Sequence, residues 1–139
     1  MSNKRLLIAI ALLISILLPG CMKAEEAKAP AIEVDFTHVI VDGKHVIKIN
    51  KISKVDVNVS AVKLTYRPSF PGIHAFAIYS KGVSPVAELP VNSQGDLKLY
   101  VGFEKSKLPS EGENVTVVVA VRDGKGRDLA LAMGVVKWE

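Results

Sequence analysis

Short runs of alternating apolar residues, separated by turn residues, recur from Ile32 to the end of the chain and constrain its fold more than any other feature. In the run IEVDFTHVIV (32–41), one face of a strand is predicted to carry Ile32, Val34, Phe36, His38 and Ile40. Two later sets also share a face: Leu97, Leu99, Val101 and Phe103, and then Val115, Val117, Val119 and Val121. The pattern predicts strands with one side in a core.

Further runs of this kind lie at 45–50, 54–66, 73–79, 84–89, 96–103, 114–123 and 128–138. The run 54–66 changes phase near Ser60-Ala61, which is typical of a β-bulge. A hairpin turn at Asp42-Gly43-Lys44, with Gly43 and Lys44 as loop residues, places Ile40 opposite Ile47 and His38 opposite Ile49. About eight strands with no amphipathic helix predict an all-β antiparallel sandwich, and a small β-barrel is the alternative.

The stretch LPSEGENVTVVVAVRDGKG (108–126) resembles the end of an immunoglobulin-like or fibronectin type III-like sandwich. In those domains a Leu-Pro-rich loop leads into a valine-rich strand that ends at an Asp-Gly hairpin. The resemblance implies an immunoglobulin-like β-sandwich of about 7–8 strands.

The N-terminus is typical of a secretory signal, because Lys4 and Arg5 precede the apolar run LLIAIALLISILL (6–18). The run is shorter than the roughly 20 residues that a spanning helix needs, and Pro19-Gly20 ends it. Residues 1–20 are therefore predicted to be a signal peptide.

Leu18-Pro19-Gly20-Cys21 resembles the lipobox of prokaryotic lipoproteins, and Cys21 is the single cysteine of the chain. The resemblance covers residues 1–21. It implies that the Cys21 sulfur carries a diacylglyceryl group, that Cys21 becomes the first residue, and that the protein is held on the extracytoplasmic face of the cell membrane. An ordinary cleaved signal and an uncleaved short anchor are the alternatives. Residues 21–31 are predicted to be the lipidated cysteine and a flexible tether, and 32–139 the β-sandwich domain.

The charge balance argues against a nucleic-acid partner. The formal net charge is +4, and removal of Lys4 and Arg5 with the signal leaves 16 basic and 14 acidic residues. These charges form no basic stripe along the sequence, which nucleic-acid binding would require.

Metal binding and catalysis find little support in the sequence. A metal site usually needs three or four converging ligands, and the three histidines, His38, His45 and His74, are spread over the chain. His38, on an apolar face, is predicted to be a histidine with satisfied hydrogen bonds in the core or at its rim. No G-x-S-x-G elbow or P-loop occurs, so we expect no cofactor, no metal and no enzymatic activity, although triads can assemble from distant positions.

Two sequons and three loops are candidate surface sites. Asn58 and Asn114 begin N-glycosylation patterns. The loop RPSFPG (67–72) offers Arg67 and Phe70, residue types enriched at binding hot spots, although Phe70 is also suited to capping the core. Simple up-and-down alternation places this loop at one end of the domain with loops 90–95 and 123–127, opposite the tethered N-terminus. Those two loops contribute the candidates Asn92, Lys125 and Arg127.

The sequence therefore predicts a membrane-anchored extracytoplasmic lipoprotein that acts as a non-catalytic interaction or assembly module with a protein partner in trans. A small-ligand-binding or metal-binding lipoprotein is the alternative, and an enzyme is the third hypothesis.

Overall fold

The computed structural model describes residues 28–58, 72–83 and 86–139, which form eight strands and one short 3-10 helix. The strands are β1 (Lys28–Val41), β2 (Lys44–Asn58), β3 (Gly72–Tyr79), β4 (Gly82–Val83), β5 (Ala87–Leu89), β6 (Gly95–Gly102), β7 (Asn114–Arg122) and β8 (Asp128–Lys137). The 3-10 helix is Lys105–Lys107. The predicted all-β class is confirmed.

The strands are arranged in two antiparallel sheets. The first sheet has the order β2-β1-β6, and the second has the order β4-β3-β7-β8, with β5 also paired to β3. The sheets enclose one core between them and do not close into a barrel. The architecture is therefore the predicted sandwich.

The hairpin between β1 and β2 differs in register from the prediction. Its loop residues are Asp42 and Gly43, with positive φ values of 50° and 74°, the pattern of a type I′ turn. Val41 therefore pairs with Lys44 and His38 with Ile47, whereas His38 was predicted opposite Ile49. Aspartate tolerates the left-handed region better than most residues, so the turn begins one residue earlier than predicted.

A single strand, β2, replaces the two strands predicted at 45–50 and 54–66 within the described residues. The β1–β2 pairing slips between Asp35 and Phe36, and Asn50 is the extra residue on β2. At this bulge the alternation of inward and outward side chains in β2 shifts by one residue, which in the sequence resembles a break between two strands. The bulge predicted near Ser60-Ala61 lies outside the described residues.

The first strand also starts earlier than predicted. Residues 21–31 are predicted to be the lipidated cysteine and a tether, but Lys28 already pairs with Asn58, and Ala31 is fully buried. The segment Lys28–Ala31 lacks an apolar alternation, so its strand character comes from pairing with β2. Strand β1 therefore begins four residues before the predicted domain boundary at residue 32.

The core is built from the predicted inward faces. The fully buried side chains include Ile32, Val34, Phe36, Leu99, Val101, Val115, Val117, Val119 and Val121, joined by Ile73 from β3. Burial of each such side chain contributes about 1.5–3 kcal/mol, so this layer is the main source of stability.

An aromatic cluster joins the sheets at the end that carries Lys28. Phe103 packs edge-on against Tyr79 and Trp138, with ring centroids 5.6 and 5.2 Å apart. The Phe103 amide donates a 3.3 Å hydrogen bond to the carbonyl of Pro30 in β1. The ends of β1, β3 and β8 that meet here are called the N-terminal end of the sandwich.

Two of the three predicted loops lie at the opposite end, as expected from strand alternation. Loop 90–95 ends at Gly95, which pairs with His38, and loop 123–127 connects the far ends of β7 and β8. Residues 67–71 of the third loop lie outside the described residues.

At Gly134, β8 approaches β2 closely. A Cβ atom there would collide with Cδ1 of Ile52 and would lie 3.6 Å from Cδ1 of Ile49. Small residues on the inner side of β8 thus leave room for the isoleucines of β2. Leu131, Met133 and Val135 of β8 point the other way.

Candidate interaction surface

Apolar side chains cover the outer side of the second sheet, away from the core. We call the following set the apolar face: Phe76, Ile78, Val83, Val118, Leu131, Met133 and Val135. Met133 is 72% exposed, Val135 62% and Leu131 58%. An antiparallel sheet commonly presents polar side chains to water on its outer side, so this composition indicates a binding surface.

Strand pairing makes the apolar face continuous. Val118 pairs with both Phe76 and Met133, and Thr116 pairs with both Ile78 and Val135. Opposed side chains on neighbouring strands lie about 5 Å apart, which is close enough for contact. The face therefore runs across β3, β7 and β8 without a polar break wider than one threonine.

The outer side of the first sheet has the opposite character. Glu33 accepts a 3.0 Å hydrogen bond from the Tyr100 hydroxyl and lies 3.5 Å from the ammonium of Lys98. Nearby, the Thr37 hydroxyl donates to Asp96 at 2.6 Å and accepts from Asn50 at 3.0 Å. This side satisfies its polar groups and suits exposure to water, so the two outer sides of the sandwich are chemically different.

A shallow groove of about 390 Å³ runs along the apolar face. Its apolar lining residues are Phe76, Ile78, Val83, Val118 and Leu131. Its apolar lining can bind an apolar side chain or ligand through the hydrophobic effect.

One end of the groove is closed by an ion pair. Arg122 Nε lies 2.7 Å from an oxygen of Asp128, and the Arg122 guanidinium carbon lies 4.5 Å from the centroid of the Phe76 ring. Beyond it, His74 Nδ1 lies 2.7 Å from a Glu88 oxygen. The charges of Arg122 and Asp128 at this end are therefore paired with each other.

The sequence carried a signal for this surface that strand prediction alone did not use. In β8, DLALAMGVVK, the alternate positions Leu131 and Met133 are apolar, and so are Ala130 and Ala132 between them. A strand with one side in water alternates apolar and polar residues, whereas a strand covered on both sides is apolar throughout.

His38 and His45 form a stacked pair beside loop 90–95. Their ring centroids are 5.3 Å apart, and His38 Nε2 lies 3.0 Å from His45 Nδ1. His38 Nδ1 lies 2.5 Å from the Ser93 carbonyl, which can only accept, so Nδ1 is the donor and Nε2 accepts from His45. Since His38 is fully buried with both ring nitrogens engaged, the prediction of a satisfied core histidine is confirmed. The two-residue change in register brings His45 next to it, a contact that the predicted register did not contain.

The free energy of unfolding is expected to fall as the pH is lowered from about 7.5 to about 5.5, around the ordinary histidine pKa of about 6.5. Burial lowers the pKa of His38, the hydrogen bond to Ser93 raises it, and the neighbouring His45 lowers it further, so that the net shift is downward. Burial also lowers the pKa of His74, with Glu88 opposing it. Because the unfolded chain binds more protons than the folded protein in this range, acid favours unfolding, by at most about 1.4 kcal/mol per pH unit for each group.

Urea unfolding across that pH range measures the effect, and the double variant His38→Gln/His74→Gln is expected to flatten it. The pKa of Glu113 is lowered mainly by a hydrogen bond from the Ser80 side chain. The pKa of Asp123 is lowered mainly by a hydrogen bond from the Arg127 amide. Their contribution is lost only below about pH 4.5 and does not enter this window. A double variant with an undiminished slope would assign the pH dependence to other groups.

The side chain of Asp123 shapes the predicted loop 123–127. Its Oδ1 accepts hydrogen bonds of 2.9 Å from the amides of Lys125 and Arg127, and its Oδ2 lies 2.7 Å from Arg127 Nε. Arg127 is therefore held at the loop, while Lys125 is exposed at the tip. In loop 90–95, Asn92 is exposed. The loops and the apolar face are separate surfaces, and a binding role for Asn92, Lys125 and Arg127 stays a prediction.

The remaining predicted sites have mixed outcomes. Asn58 and Asn114 are both exposed at the N-terminal end, paired with Lys28 and Lys137 in their sheets, and their glycosylation stays a prediction. Cys21, Arg67 and Phe70 lie outside the described residues. Within the part of the chain that the structure covers, no group of three or more His, Cys, Asp or Glu side chains is placed to hold a metal ion.

Comparison of the chain with family models, curated proteins and solved structures returned no match. The resemblances to lipoproteins and to immunoglobulin-like domains therefore stay predictions. Among residues 28–58, 72–83 and 86–139, there is no helix with the length and hydrophobicity needed to span a membrane.

Proposed function

We propose that this chain is a non-catalytic protein-interaction module, exported and held at the extracytoplasmic face of the cell membrane by a lipid on Cys21. The apolar face carries the interaction part of the proposal, because Leu131, Met133 and Val135 expose more than half of their surface to water. A protein partner with a complementary apolar surface removes that area from water. The resemblance of Leu18-Pro19-Gly20-Cys21 to a lipobox supports the anchor.

The position of β1 is compatible with such an anchor. Residues 22–27 separate Cys21 from Lys28, and a fully extended chain spans at most about 25 Å over that distance. In an anchored protein, the N-terminal end of the sandwich would lie near the bilayer. The outer sides of the two sheets would then face sideways, over the membrane surface. The apolar face would then be accessible to a partner that approaches from the side, over the membrane surface.

Photocrosslinking from defined positions in intact cells tests the interaction. A photoreactive side chain at Met133 is expected to form covalent adducts with protein. The same side chain at Lys98, which is 61% exposed on the outer side of the first sheet, is the matched control and is expected to give few adducts. Leu131→Asp should reduce the Met133 adducts at least about tenfold, because it places a charge in an apolar contact.

Equal crosslinking from Met133 and Lys98, or none from either, would contradict the interaction surface. A thermal unfolding transition close to that of the wild type shows that Leu131→Asp is folded. The exposed position of Leu131 makes this the expected result.

A small apolar ligand is the second candidate, supported by the groove over Phe76 and Val118. Its volume of about 390 Å³ lies within the usual range for small-molecule sites. Mass spectrometry of the intact protein under non-denaturing conditions would reveal such a ligand. A bound small molecule together with an absence of protein adducts at Met133 would favour this function over the first.

A further inference from the structure

We infer that the partner of the apolar face is a second copy of this chain, bound through a two-fold interface; this rests on the proposed function and names its partner. Three features support a symmetric dimer: the shape of the apolar face, its charge balance and its area.

The shape of the apolar face is self-complementary. On β8, Leu131, Met133 and Val135 are the protruding side chains, and the groove over Phe76 and Val118 lies directly beside them. A two-fold axis that lies in the interface, parallel to β8 and between these two features, places the β8 ridge of each copy in the groove of the other. Two-fold interfaces are built in this way, with each contact made twice.

The groove can accept that ridge. Its volume of about 390 Å³ leaves room for apolar side chains from β8 of a second copy. Two stacked sheets lie about 10 Å apart, a distance that side chains of the size of leucine and methionine fill from both sides.

The charges favour a copy of the same chain over an acidic or basic partner. Arg122 pairs with Asp128 beside the groove, so these two charges neutralise each other within one chain. A strongly charged partner finds no unbalanced charge in this part of the surface. Two identical copies meet there without repulsion between like charges.

The area is close to what a stable dimer requires. The exposed fractions of Ile78, Val83, Leu131, Met133 and Val135 correspond to on the order of 600 Å² of apolar surface, the upper end for the largest patch on a monomer. A standard interface buries about 800 Å² on each side. Polar residues at the border of the face, such as Thr116, Arg122 and Lys137, supply the remainder.

The test is the molar mass of the full chain in detergent, measured by sedimentation under conditions that make the detergent neutrally buoyant. The wild type is expected to sediment as a dimer. Because each substitution acts twice in a two-fold interface, Leu131→Asp should raise the dimer dissociation constant at least about 100-fold, or about 2.7 kcal/mol. Val46→Asp is the matched control, since Val46 is 44% exposed on β2 of the first sheet, and it should remain dimeric.

Crosslinking identifies the contact. A photoreactive side chain at Met133 is expected to attach to the peptide that contains Val118 or Phe76 of a differently tagged copy. A monomeric wild type, or a dimer that survives Leu131→Asp but not Val46→Asp, would overturn the inference. A monomer whose Met133 adducts are with another protein would overturn the dimer and leave the proposed function intact, whereas a monomer without adducts would contradict both.

Discussion

Replacement of Cys21 by serine is expected to abolish acylation of the protein completely. The chain has no other cysteine, so no second thiol can accept a diacylglyceryl group. Each acyl methylene contributes about 0.8 kcal/mol to membrane binding, and two chains give stable anchoring where one is only marginal. The measurement is the mass of the N-terminal peptide of the mature protein, together with metabolic labelling by a fatty-acid analogue.

Met22→Ser is the matched control and should keep the full acyl mass, because it leaves the sulfur at Cys21 in place. A second variant separates the lipid from the apolar run 6–18. When residues 1–20 are exchanged for an ordinary cleavable signal and Cys21 is serine, the exported protein should leave the membrane in buffer without detergent. An unmodified thiol at Cys21 in the mature wild type would contradict the anchor.

Replacement of Phe36 by alanine is expected to be the most destabilising single truncation in the core. Phe36 is fully buried at the middle of β1, the central strand of the first sheet, and it is the largest fully buried side chain of the described residues. Truncation of a buried phenylalanine costs about 3–5 kcal/mol, out of a typical total stability of about 5–15 kcal/mol. For a domain of this size the melting temperature should fall by roughly 15–25 °C.

Urea and thermal unfolding of Phe36→Ala measure this loss. Val41→Ala on the same strand is the matched control, since Val41 is 52% exposed and its truncation should cost less than about 1 kcal/mol. Similar losses for the two variants would contradict the position of the core between the sheets.

Most strands could be predicted from the sequence because one side of each strand is buried. The alternations through Val34 and Phe36, Leu99 and Val101, and Val117 and Val119 reproduce the buried faces. Burial on one side makes apolar and polar residues alternate along the strand. This alternation can be recognised without knowing which strands are its neighbours.

Register and strand limits were less predictable because they depend on pairing. The hairpin loop is Asp42-Gly43 since both residues adopt positive φ, and a turn shifted by one residue displaces the pairing by two. The bulge at Asn50 joins two predicted strands into one. The segment Lys28–Ala31 has no alternation of its own and becomes a strand by pairing with β2.

The candidate site was the least predictable part. Arg67 is a sequence candidate because arginine is enriched at binding hot spots, and Asn92 and Lys125 are candidates because their loops share one end of the domain. The apolar face lies on strands instead. Leu131 and Met133 look like core residues in the sequence, and their exposure depends on which side of β8 faces the first sheet.

By itself, the sequence determined the all-β class and the inward faces of the main strands, because both follow from local periodicity. Only the tertiary structure decided that Gly134 and its small neighbours face the isoleucines of β2, which turns Met133 and Leu131 to the outside. A strand that is apolar on both sides can place either side in the core. The side that faces the core is the one whose side chains fit against the opposite sheet. This fit depends on residues of other strands and cannot be predicted from one strand alone.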